Sequence, residues 1–126
     1  VRQANIEYEE LPLSEGTIEY VNESLKAVVN ENYGTAYGYF NELPEGITVA
    51  GKTGTPETGT GTSNALFIGY APADDPEIAV AVVLEKGVWG SNAIPVAVDV
   101  LKEYFGASSN ILPEDRITTN KITFTR

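Results

Sequence analysis

The sequence predicts an α/β chain of the α+β sandwich kind: an antiparallel sheet of three to four strands, with one helix before it and one after it. Three observations carry this. Apolar residues recur at three- and four-residue steps near Thr17–Asn30 and again near Ala97–Phe105. Between them lie three short β-branched or apolar runs, separated by clusters of Gly, Pro, Thr and Asp. The length, 126 residues, fits one folding unit with a single core.

The opening VRQANIEYEELPL reads as a short extended entry segment stopped by Pro12. From Thr17 to Asn30, Ile18, Val21, Leu25, Val28 and Val29 form one apolar stripe opposite Glu19, Asn22, Glu23 and Lys26. Ser14 is placed to cap this helix, Glu15 suits the positive end of its dipole, and Gly34 follows its end. Residues 34–46, GTAYGYFNELPEG, read as a loop whose Tyr and Phe pack onto the domain edge. A strand is expected from Ile47 to Thr53, then a Gly/Thr/Pro loop from Pro56 to Ser63. Ala65–Tyr70 and Ile78–Leu84 make the second and third strands, joined by an APADDP turn. The third, IAVAVVL, is apolar throughout, which predicts burial on both faces. In the second helix Ala97, Val100, Leu101, Tyr104 and Phe105 mark the inner face; Ser91 or Asn92 can cap it, Pro95 suits its first turn, and Gly106 its end. Residues 1–106 thus form the folded unit. Residues 107–126 are a polar tail whose Ile122–Thr125 can add an edge strand or a self-association surface.

Composition removes several classes of function. The net charge is −10, and the eight Lys and Arg form no basic stripe, so no nucleic-acid partner is expected. There is no apolar run of about 18 residues of the kind that spans a bilayer. With no Cys and no His, thiolate chemistry, Ser-His pairs and imidazole metal sites are excluded, and Lys, Tyr and carboxylates are the available bases. No Asp-rich calcium loop occurs, so no metal or cofactor is expected.

One stretch, GITVAGKTGTPETGTG from Gly46 to Gly61, carries the chemistry and fits two patterns. Gly46–Thr53 matches the phosphate-binding loop G-x-x-x-x-G-K-[ST], which needs a strand before its glycines and a helix after its lysine. Here Ile47–Ala50 is itself the strand, and Gly54, Pro56, Gly59 and Gly61 occupy the place of the helix, so the nucleotide reading fails on context. The second pattern is K-T-G-T, Lys52–Thr55. Lys52 is the one basic residue between Lys26 and Lys86. Its ammonium can bind a carboxylate, Thr53 and Thr55 can add hydroxyl hydrogen bonds, and Gly54 lets a ligand backbone approach. The bland alternative for these four letters is a solvated Lys in a Gly-Thr turn.

The segments VAGKTGTPET, NALFIGYAPADDPEIAVAVVLEKG and AIPVAVDVLKEYFG resemble, in order and spacing, the C-terminal part of the transpeptidase domain of penicillin-binding proteins, over roughly residues 17–106. The resemblance implies a serine acyl-transfer enzyme acting on D-Ala-D-Ala stem peptides of peptidoglycan and bound by β-lactams. It implies that Lys52, Thr53 and Thr55 hold the terminal carboxylate, that Gly54 admits the substrate, and that the Thr55 backbone N–H is one oxyanion-hole donor. The family's nucleophile motif S-x-x-K does not occur in the chain, and its S-x-N motif is matched only by Ser108-Ser109-Asn110, after the closing helix, which reads as chance. The expectation is therefore an incomplete transpeptidase-like fold, a C-terminal piece that partners the remainder of its domain. By the same resemblance the parent works at the extracytoplasmic face of a bacterial membrane. A D,D-carboxypeptidase or β-lactamase parent, or a non-catalytic sensor that kept the fold, shares these features.

Overall fold

The computed structural model describes residues 12–59 and 61–106. Most of the entry segment (residues 1–11), Thr60, the tail and its Ser108-Ser109-Asn110 triplet lie outside the described residues.

Helix α1 runs Glu15–Asn30, two residues longer at its start than the periodicity alone indicated. Ser14 caps it: the Ser14 hydroxyl accepts from the Thr17 N–H at 3.3 Å, and the Ser14 carbonyl accepts the first backbone bonds. Only its C-terminal half is covered, with Val29 buried while Ile18 and Val21 face solvent. Lys26 ties α1 to the turn before β3, pairing with Asp74 at 2.6 Å and with Glu23 at 2.9 Å. Those carboxylates raise its pKa.

The loop after α1 buries Ala36, Phe40 and Leu43, as expected for an edge-packing segment, but Tyr33, Tyr37 and Tyr39 stay exposed. Strand β1 spans Ala50–Gly54, so it starts three residues later than Ile47. The cause lies in where the preceding backbone bonds go. Ile47 N–H donates to the Pro44 carbonyl, the Thr48 carbonyl accepts from Ala73 N–H, and the Val49 carbonyl accepts from the Asn30 side chain at 3.0 Å. With those groups engaged outside a ladder, pairing begins at Ala50.

Strands β2 (Ala65–Ala71) and β3 (Ile78–Leu84) complete a three-stranded antiparallel meander in the order β1-β2-β3. Register is set by Lys52↔Ile68 and Thr53↔Phe67 on one side, and by Phe67↔Val82 and Ile68↔Ala81 on the other. One sheet face therefore carries Phe67 and Val82, and the opposite face carries Lys52, Ile68 and Ala81.

A 3-10 turn, Gly90–Ala93, leads into helix α2, Ile94–Tyr104. Ala93 occupies the N-cap position without a side-chain bond. The expected caps are used otherwise, since Asn92 donates to the Gly87 carbonyl at 2.7 Å and holds the preceding turn. Pro95 sits in the first turn as expected. The inner face is Ile94, Ala97, Val98 and Leu101, whereas Val100 and Tyr104 point outward. The core joins that face to Phe67, Val82, Val49 and Phe40, with the Phe40 and Phe67 rings 5.6 Å apart. Burying each such large side chain contributes about 1.5–3 kcal/mol. Gly51 is required beneath the ring, because a Cβ there would lie 2.6 Å from Phe67.

The expectation that β3 is buried on both faces is not met. Val82 is buried, but Ala79, Ala81 and Val83 are exposed, Val83 by 61%. The strand is an edge strand, and no described element covers its outer face. The apolar run reflects a surface that this stretch of chain leaves open.

Candidate functional site

The K-T-G-T segment lies on β1 and just beyond it, and β1 is the end strand of the described sheet. Alternation along the strand separates its side chains. Lys52 shares a face with Ile68, and Thr53 leaves on the other face, opposite Phe67. Lys52 Nζ then curls back to donate to the Thr53 carbonyl at 2.8 Å. The sequence placed Lys52 and Thr53 side by side as ligand contacts; the structure puts their side chains on opposite faces and links the two residues through this backbone bond.

Thr53 and Thr55, one strand period apart, open into a shared cavity of about 260 Å³ that Thr35, Trp89, Gly90 and Ser91 also line. Both threonine hydroxyls are already engaged by the protein. Thr53 Oγ1 lies 2.9 Å from Thr35 Oγ1. Thr55 Oγ1 accepts from the Gly90 N–H at 2.9 Å. Gly90 is buried, with its backbone against that of Gly54.

The turn that delivers Gly90 is held in a costly conformation. Lys86 and Val88 have φ of 57° and 70°, a region a β-branched residue such as Val88 rarely adopts. Such strain persists where surrounding bonds over-determine it. Here Lys86 N–H donates to Asn64 Oδ1, Val88 N–H to the Ser63 carbonyl, and Asn92 to the Gly87 carbonyl. The result places Trp89 at the cavity rim, 67% exposed.

Sequence reasoning missed Thr35, Trp89, Gly90 and Ser91. Thr35 lies in a loop read only as packing, and nothing local marks its hydroxyl as facing β1. The signal for the others was the single Trp of the chain, set between Val88 and Gly90 at a strand-to-helix junction.

The K-T-G-T segment thus sits in a sheet with a helix on its Phe67 face and a threonine-lined cavity beside an end strand. The chain belongs to the penicillin-binding protein transpeptidase domain family, which matches residues 2–105. It is similar to peptidoglycan D,D-transpeptidase PbpA of Mycolicibacterium smegmatis, 50% identical over 46 residues that cover 33% of this chain and 9% of that protein. Stage V sporulation protein D of Bacillus subtilis is 34% identical over 102 residues, covering 72% of this chain and 15% of that protein. Among solved structures, Pseudomonas aeruginosa PBP2 in complex with WCK 5153 superposes with a TM-score of 0.65 at 33% identity, over 82% of this chain and 23% of that one. The chain spans between 9% and 15% of the length of these curated relatives.

Proposed function

We propose that the chain is the substrate-holding wall of a serine-type D,D-transpeptidase site within a longer parent protein. In this reading Thr53 and Thr55 bind the terminal carboxylate of a D-Ala-D-Ala stem peptide or the equivalent carboxylate of a β-lactam. Lys52 supplies the positive charge, Gly54 admits the ligand backbone, and the Thr55 backbone N–H is one of two oxyanion-hole donors. The observation that carries the reading is the common cavity of Thr53 and Thr55 beside the end strand β1.

The serine that attacks the carbonyl comes from elsewhere in the parent, which the relatives' greater length accommodates. The remainder of the domain then seats on the open sheet face of Ile68, Ala81 and Val83. The parent acts at the extracytoplasmic face of a bacterial membrane; among the described residues no helix is long and apolar enough to cross one.

The test is covalent labelling with a fluorescent penicillin, read by mass. The parent is expected to form a stoichiometric acyl adduct and the 126-residue chain none. An adduct on the isolated chain, or none on the parent, overturns the reading.

A further inference from the structure

We infer that Thr35 and the Gly90 N–H are positioning groups that aim the Thr53 and Thr55 hydroxyl protons into the cavity and thereby make the site selective for a free carboxylate over its amide. The inference rests on the carboxylate-binding reading of Thr53 and Thr55 and deepens it.

The argument follows from the proton inventory of a hydroxyl. Each Thr oxygen has a single proton to donate and lone pairs to accept with. Thr55 Oγ1 accepts from the Gly90 N–H at 2.9 Å. That bond comes from a backbone donor that cannot reverse, so Thr55 keeps its own proton for an outside acceptor. Between Thr35 and Thr53, 2.9 Å apart, either oxygen can be the donor. An anion in the cavity selects one arrangement: Thr53 turns its proton to the anion, and Thr35 must then donate to Thr53. Two hydroxyls, each with an internal donor behind it, present two protons to one ligand.

A carboxylate has two oxygens and only acceptor sites, so it takes both protons through charge-assisted bonds. A primary amide offers one acceptor oxygen, and its NH₂ group meets a hydroxyl whose proton points at it. The cost of that mismatch is of the kind seen when a site built for one hydrogen-bond pattern receives another.

The experiment uses the full-length parent with two donors, a D-Ala-D-Ala stem peptide and the same peptide amidated at its C-terminus, and compares kcat/KM. Thr35→Val removes the hydroxyl at constant shape, and Thr35→Ser restores it. The expected result is an acid-to-amide preference up to about tenfold smaller in Thr35→Val, because the Thr53 proton loses the donor that orients it toward the anion, and recovered in Thr35→Ser. A preference unchanged in Thr35→Val overturns the inference even if both rates fall, because a purely structural Thr35 slows both peptides alike. If the wild-type parent processes the pair with equal efficiency, the carboxylate reading of Thr53 and Thr55 falls, and this inference with it.

Discussion

Gly90 stands so close to Gly54 that a Cβ on Gly90 would lie 2.6 Å from the Gly54 carbonyl oxygen. The contact is backbone against backbone, so no side chain can yield. It fixes the turn after β3 to β1 and delivers the N–H that Thr55 accepts. Gly90→Ala is expected to cost about 1–3 kcal/mol through forced displacement. Gly16→Ala, where nothing lies within 4 Å of the added carbon, is expected to be neutral or to stabilise by up to about 1 kcal/mol. Urea melts of both variants check the contrast, and equal effects would refute the account of Gly90.

Ser14 closes the start of α1 through the Thr17 N–H. Ser14→Ala should lower stability by about 1 kcal/mol, with Ser14→Asp close to wild type. Helicity and thermal midpoint, followed by circular dichroism, report the difference.

Leu101 is fully buried in the core, and Val83 on the outer face is 61% exposed. Truncation of Leu101 to Ala should cost about 2–5 kcal/mol. Val83→Ala should stay within about 0.5 kcal/mol in the isolated chain. On the proposal that the remainder of the parent's domain seats on this face, the second value should rise in the parent; a Val83→Ala cost that is equally small in both proteins counts against it.

Glu42 pairs with Lys102 across the gap between the α1–β1 loop and α2, and the ammonium lowers the Glu42 pKa. A carboxyl with a depressed folded pKa contributes stability that is present above its unfolded pKa and lost as pH falls through the folded value. The advantage of wild type over Glu42→Gln should therefore be full at neutral pH and shrink below the usual Glu range, roughly pH 4.3. The thermal midpoints of the two proteins, compared stepwise from neutral to acid pH, are expected to converge. The pair is exposed on its acidic side, so the difference should also shrink in high salt.

The open face of Ile68, Ala81 and Val83 should make the isolated chain associate as concentration rises. Ile68→Lys combined with Val83→Lys is expected to reduce that association, measured by light scattering, while leaving the fold intact by circular dichroism. Unchanged scattering would show that another surface mediates the contact.

The fold was legible where local physics decides. Both helices, the Ser14 cap, the order of the three strands and the bounds of Ile78–Leu84 all follow from periodicity and turn chemistry. The start of β1 was not, because it depends on bonds from Asn30 and Ala73, distant in sequence. The burial of β3 was misread for a related reason: an apolar run does not say what lies over it, and among the described residues nothing covers Ala79, Ala81 and Val83. In the site, K-T-G-T stood out as a candidate through composition, whereas Thr35 and Gly90 join it through position alone. Their roles appear only once the loop and the turn meet β1.

The three described strands follow one another in sequence, and their pairing runs between Ala50 and Leu84. Contacts of such low sequence separation form early, because little loop entropy opposes them. The register of Lys52, Thr53 and Gly54 is thus set by their own pairing with β2. In folding terms, the K-T-G-T strand carries its own timer, because its neighbour in the sheet is also the next strand in the chain.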